Sequence, residues 1–408
     1  MIGLHRRLLR GLANSSCLRA QSRRAILAIV FAGLTAGCVV TGRLRASSRA
    51  ALDAVPPTLL WTTPLAGWGR PAVRDDSVYS LSRVHEMVSL DKATGAVRWR
   101  RPLPLADSEY SRVPMGSIVE ATTDAVIVGD YDVLALDRRT GRMMWRFSPE
   151  DGYAPGVYLG AVTEDSVYTG SPDGRLQAIE MSNGRSRWSM PLDERRQTTV
   201  YQPIVDRGIV IAGFTVFERP TRGGLVAVEA RTGIERWRAY FPKHPAGGAR
   251  NTAWAGGPVT WNHLVVAAAS TGSIYSFDRR NGSLVLSMAS PQSADVAQDF
   301  RPMVVIGNSL VVGSLTGLVV AYRLPSFRER WRYSPSEAGS VLFGMTADGN
   351  SILVPYAGGR LVRLDLEDGR VRWTAQRQPG VYAWPPVVDD RHVYAVGETS
   401  VTAFRKED

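Results

Sequence analysis

The decapeptide "LDKATGAVRW" (residues 90–99) returns along the chain as "LDRRTGRMMW" (136–145), "IEMSNGRSRW" (179–188), "VEARTGIERW" (228–237) and "LDLEDGRVRW" (364–373). Two further copies are degenerate. "FDRRNGSLVL" (277–286) has Leu286 for the tryptophan, and "YRLPSFRERW" (322–331) loses the acidic residue and the glycine. Seven copies at spacings of 42 to 49 residues are the mark of a repeat architecture, in which each unit buries its apolar faces against its neighbours.

A second marker alternates with the first: "PAV" at 71, "SIV" at 117, "GAV" at 160, "PIV" at 203, "PVT" at 258, "PMV" at 302, "GMT" at 344 and "PVV" at 386. Each precedes a polar turn and a β-rich run such as "SVYSLS" (77–82) or "GIVIAGF" (208–214). Four short strands per repeat predict an all-β chain, an eight-bladed β-propeller of four-stranded antiparallel blades. The final "PVVDDRHVYAVGETSVTAFRKED" supplies three strands, and "LLWTTPL" (59–65) supplies one. Pairing that first strand with the last three closes the ring and removes its open edges.

Within the phrase, Thr/Asn/Asp-Gly suits a hairpin turn, since glycine accepts φ > 0. The acidic residue is placed to accept backbone N–H groups across the turn. The tryptophans Trp61, Trp99, Trp145, Trp188, Trp237, Trp331 and Trp373 are expected as wedges between blades.

The net charge of +11 is concentrated outside this repeat region: residues 1–50 hold nine arginines and no acidic residue, leaving a net +2 for the rest. A nucleic-acid binder needs its basic patch on the folded surface, so that class is excluded. Residues 1–37 read as an export signal, with an arginine-rich start and the apolar run "AILAIVFAGLTA" (25–36), too short to span a bilayer as a helix. "LTAGC" (34–38) resembles a bacterial lipobox, which implies lipidation of Cys38. "SRRAIL" (22–27) resembles a twin-arginine motif without its usual phenylalanine and lysine. Val39 at the next position implies sorting to the outer membrane of a two-membrane bacterium. Residues 38–57 form a flexible tether with a reach of about 25 Å, and 58–408 form the propeller. Of the two cysteines, Cys17 leaves with the signal, so the mature domain has no disulfide and no thiol nucleophile.

The repeat resembles the PQQ-type eight-bladed propellers, whose blades carry an "A-x-D-x-x-T-G-x-x-x-W" docking motif; the resemblance covers residues 59–408. Two branches follow from it. The quinoprotein dehydrogenases are periplasmic enzymes using pyrroloquinoline quinone and calcium. The BamB-like branch is lipid-anchored, cofactor-free and assists outer-membrane β-barrel assembly. The short connections, the single mature cysteine, the absence of Cys-x-x-Cys-His and five scattered histidines favour the second branch. The chain is therefore expected to be a non-enzymatic, monomeric scaffold with no metal, cofactor or nucleic acid. The alternatives are a PQQ-dependent oxidoreductase and an exported ligand-binding or sensor propeller. The expected partners are envelope proteins, among them the barrel insertase, and the membrane itself through the lipid.

The connections entering the "P-x-V" strands carry Trp68, Arg70, Tyr110, Tyr201, Arg250, Trp254, Phe300, Arg301, Tyr382 and Trp384. Aromatics with arginine are enriched in binding hot spots, which makes this face the candidate for capturing a protein segment by edge pairing. The competing role for these aromatics is to wedge between blades.

Overall fold

The computed structural model describes residues 56–104, 118–129, 131–149, 156–193, 197–218, 220–242, 254–288, 300–335, 341, 344–376 and 384–406. Cys38, the export signal and most of the tether lie outside them. Every regular element among the described residues is a β-strand.

The strands follow one another in groups of four, each group antiparallel and ordered as in the chain. The first unit is β2 (Gly67–Arg74), β3 (Ser77–Ser82), β4 (Glu86–Asp91) and β5 (Val97–Pro102), after the separate β1 (Leu59–Pro64). The second is β6 (Ile118–Ala121), β7 (Ala125–Gly129), β8 (Val133–Asp137) and β9 (Met143–Phe147). The third is β10 (Tyr158–Val162), β11 (Ser166–Gly170), β12 (Arg175–Glu180) and β13 (Ser186–Pro191). In the fourth, β14 (Thr198–Val200) and β15 (Ile204–Asp206) both pair with β16 (Ile209–Val216), followed by β17 (Arg222–Glu229) and β18 (Glu235–Tyr240). The fifth is β19 (Trp254–Trp261), β20 (Leu264–Ala269), β21 (Ile274–Asp278) and β22 (Leu284–Met288). The sixth is β23 (Phe300–Ile306), β24 (Ser309–Ser314), β25 (Val319–Arg323) and β26 (Arg328–Tyr333). The seventh is β27 (Thr346–Asp348), β28 (Ser351–Tyr356), β29 (Arg360–Asp365) and β30 (Val371–Gln376). The last three strands, β31 (Val387–Val388), β32 (His392–Val396) and β33 (Ser400–Arg405), share a sheet with β1, which pairs with β33 from Leu59↔Phe404 to Pro64↔Ser400.

Burial explains the sequence texture. Second strands such as β3, β7 and β24 are buried along their whole length, because neighbouring units cover both faces. In β5 only Trp99 is buried. The apolar side chains gather into clusters drawn from two consecutive units. Val128, Leu134 and Leu136 meet Leu81, Met87 and Trp99, and Ile352, Val354 and Val362 meet Val311 and Trp331. One cluster joins the last strands to the first unit: Trp61, Tyr394 and Val401 pack with Val78, Val88 and Leu90.

The repeated phrase builds these junctions from both sides. Asp91 Oδ1 accepts the N–H groups of Ala93 and Thr94 at 3.0 and 2.9 Å, closing the turn, and Gly95 follows at φ 73°. A register shift between Ser89 and Leu90 accompanies that residue, as a glycine bulge requires. The Trp61 ring then lies on Gly95, so that a Cβ there would stand 2.5 Å from it. The indole N–H donates to Lys92 O at 2.9 Å. The same lock recurs with Trp99 on Gly141 and Arg138 O, and with Trp145 on Gly184 and Met181 O. Trp188, Trp237 and Trp331 repeat it on Gly233, Gly282 and Gly369. The glycine is thus required twice, by the turn and by the tryptophan of the preceding unit.

Ionic latches reinforce some junctions. The residue after the acidic position reaches back to an aspartate of the preceding unit: Lys92 to Asp389 at 3.1 Å, Arg138 to Asp75 at 2.6 Å, and Arg279 to Asp206. Lys406 reaches Asp348 in the same way, and Arg363 holds that carboxylate from the other side at 2.9 Å.

Candidate functional site

Of the ten residues expected on a common face, Tyr110, Arg250 and Tyr382 lie outside the described residues. Trp254 opens β19, and Phe300 opens β23 with Arg301 next to it. The other four fall into pairs on the innermost strands and the connections that enter them.

Trp68 on β2 meets Trp384, just before β31, edge to face with ring centroids 5.5 Å apart. Trp384 is only 7% exposed and belongs to the core that contains Trp61, Tyr394 and Val401. That burial fits the competing role, a wedge between blades. Its ring is spent as a wedge where the last strands meet the first unit, and little of it remains to touch a partner. Trp68 packs on that core while staying partly exposed. The guanidinium of Arg83 sits 5.1 Å from its ring centroid and bonds Glu398 at 3.0 Å. The Trp68 Nε1 is buried without a hydrogen-bond partner, a polar cost that the ring's packing offsets.

Arg70, two residues along β2, pairs with Glu120 of β6 at 3.0 Å, next to the single parallel bridge Arg70↔Ile118 that joins the two strands. Burial pushes the Glu120 carboxyl up, and Arg70 pulls it back less strongly. A third of the Glu120 side chain still meets solvent, so the carboxylate sits in a wet recess rather than a sealed core. Tyr201, which follows β14, lies 5.7 Å from Tyr158 on β10. Burial, with Tyr201 adding to it, raises the Tyr158 hydroxyl to about 12.

The inner strands therefore carry a charge pair, Arg70 with Glu120, and a phenol pair, Tyr158 with Tyr201. Glu120 and Tyr158 were not foreseen. Their only signal was position, an acid directly after "SIV" and an aromatic just before "GAV". Among the described residues no three His, Cys, Asp or Glu side chains come together as a metal site.

A family model described as outer membrane protein assembly factor BamB matches residues 47–213, 199–333 and 315–408. The BamB protein of Bordetella pertussis is 26% identical over 325 residues, covering 78% of this chain and 77% of that protein. The quinohemoprotein alcohol dehydrogenase ADH-IIG of Pseudomonas putida is 37% identical over 154 residues. That match takes in 32% of this chain and spans only 21% of the dehydrogenase's length. Among solved structures, BamB from Moraxella catarrhalis superposes with a TM-score of 0.64 at 18% identity, covering 86% of this chain and all of that one. The architecture is that of a β-propeller with PQQ-like repeats.

Proposed function

Because the chain belongs to the family of outer membrane protein assembly factor BamB, we propose that it is a non-enzymatic propeller scaffold that assists the assembly of outer-membrane β-barrel proteins. In this reading the ring has eight blades, closed by β1 on β33. The shared core of Trp61 and Tyr394 with Val78 and Val88 supports that closure. Cys38 carries the lipid, residues 38–57 are the tether, and the propeller works at the periplasmic face of the outer membrane. Its partners are envelope proteins, the barrel insertase among them, met through Trp68, Arg70, Tyr201 and the neighbouring ends of β19 and β23.

The observation that carries the reading is the reach of the similarity. In sequence it runs through most of both chains in the BamB comparison and through about a fifth of the dehydrogenase. Crosslinking in the native envelope, followed by identification of the captured proteins, tests it. Recovery of barrel-assembly components is the expected result, and their absence from the captured set overturns the proposal.

The local identity to a quinohemoprotein enzyme sustains one second reading, a quinone-dependent oxidoreductase. A ligand that binds the folded state raises its melting temperature by mass action. Pyrroloquinoline quinone with calcium should leave the melting temperature of a scaffold unchanged, and a clear rise would favour the enzyme.

A further inference from the structure

We propose that the rim groove between the first and second units binds an extended, carboxylate-rich segment of a partner protein. The groove holds about 1030 Å³ and opens between the end of β5 and the turn that joins β8 to β9. It lies on the outermost strands, whereas the Trp68 and Arg70 pairs lie on the innermost.

Charge is the first argument. β5 carries Arg98, Arg100 and Arg101, and successive residues of a strand point to opposite faces. On one face, Arg98 pairs with Asp76 and Asp91 at 2.7 and 2.6 Å, and Arg100 pairs with Glu86 at 3.5 Å. Arg101 shares the other face with Trp99, lays its stem on Gly141 and lines the groove. Arg139 and Arg142, both exposed, line it from the turn. Among the described residues none of these three forms an ion pair. The turn holds one carboxylate, Asp137, which accepts the N–H and hydroxyl of Thr140 on Oδ1 at 2.8 and 2.6 Å and offsets part of the Arg139 charge, leaving the groove lining net positive by two. Arg138 points away to Asp75. Of the seven copies of the motif, only this one carries arginine on both sides of its Thr-Gly.

The second argument is the backbone. β5 and β9 are the two ends of one eight-stranded sheet, so each presents an unpaired edge to a strand laid beside it. Met143 and Met144 are half exposed at the start of β9 and offer apolar contact between the charges. Guanidinium groups bind carboxylates through paired hydrogen bonds. Three of them beside a free strand edge fit an extended acidic polypeptide better than a lipid headgroup, which has no backbone to pair.

The test uses the full chain and a fluorescein-labelled decapeptide of alternating glutamate and valine, read by anisotropy at physiological salt. Its glutamine counterpart should bind about tenfold more weakly. The pair Arg139→Gln/Arg142→Gln should lose a similar factor for the acidic peptide without a change in melting temperature. The charge-matched pair Arg231→Gln/Arg328→Gln, exposed at another turn and at the start of β26, should retain full affinity. Equal binding of the two peptides overturns the proposal, as does an equal loss in the control pair. So does capture of phosphatidylglycerol vesicles without peptide binding.

Discussion

Phe327 and Leu286 share one apolar core across the junction of the fifth and sixth units. Leu286 stands where six other sheets place a tryptophan hydrogen-bonded to the next unit, and Phe327 stands at the glycine of the facing turn, buried, with φ 51°. Both side chains belong to one cluster with Leu324, Leu310 and Met303. The left-handed conformation costs a phenylalanine roughly 1–2 kcal/mol, and burying its ring in the core gains about 3–5 kcal/mol, so packing wins. The lost indole bond has a substitute, since Trp261 Nε1 donates to Gly307 O at 2.9 Å. Two worn copies of the phrase are therefore the two halves of one junction, with the aromatic ring moved across it.

Phe327→Gly alone should lower stability by about 3 kcal/mol through the cavity it opens. Leu286→Trp alone should cost about 1–3 kcal/mol through overpacking against Phe327. Together they rebuild the lock found elsewhere, and the double variant should recover at least about 1 kcal/mol relative to the sum of the singles. Urea midpoints of the four proteins measure the cycle, and strict additivity would refute the exchange.

The repeated phrase was legible because its chemistry is local. Asp91, Thr94 and Gly95 close their own turn, and Trp99 follows at a constant distance. What lay across the junctions was not legible. No spacing rule links Arg138 to Asp75 or Arg279 to Asp206, because a neighbouring sheet brings each pair together. Trp384 shows the same limit from the other side. An aromatic in a connection reads alike whether it faces solvent or Tyr394 and Val401, and only packing decides. The tryptophan signal was strong enough that its loss at Leu286 was visible, yet its repair by Phe327 looked like a second defect.

Gly95→Ala tests the doubled demand on the motif glycine at the junction that holds β1. A Cβ there meets the Trp61 ring at 2.5 Å and Thr63 Oγ1 at 2.8 Å, and the backbone stays at φ 73°. Conformational strain alone gives about 1–2 kcal/mol, and displacement of Trp61 adds to it. The expected loss exceeds about 2 kcal/mol and should come with increased exposure of the Trp61 indole to fluorescence quenchers. Gly349→Ala is the control, with φ 56° and no atom within 4 Å of the added Cβ. Its loss should be confined to the strain, and equal losses in the two variants would remove the tryptophan from the account.

Glu120→Gln should stabilise the protein at neutral pH. Burial raises the folded carboxyl above its unfolded value against the pull of Arg70, so the folded state holds its proton longer and loses stability as pH rises through that interval. The gain should be at most about 1 kcal/mol, since the pair is partly exposed and screened, and should vanish below pH of about 4, where both states are protonated. Arg70→Met should act oppositely, removing the charge that offsets burial. Thermal melts of both variants at acid and neutral pH check the sign.

Asp389 carries the acid sensitivity of the junction between the last strands and the first unit. Burial alone would raise its carboxyl, but the N–H groups of Arg391 and His392 and the Lys92 ammonium outweigh it and hold the group at about 2. A folded value below the unfolded one stabilises the fold above pH of about 4 and is lost as pH falls towards 2. The shift corresponds to roughly 2 kcal/mol. Solvent screening of a carboxylate that is 21% exposed brings the expected contribution to about 1 kcal/mol. Asp389→Asn should therefore lower the melting temperature at neutral pH and flatten its dependence between pH of about 4 and 2. Lys92→Met should remove only the ammonium's share, leaving the two N–H bonds at 2.8 Å to hold the carboxyl part of the way down. Titration of the Asp389 carboxyl by NMR in both backgrounds separates the two contributions. An unchanged value in Lys92→Met would show that the latch to the first unit does not act on this group.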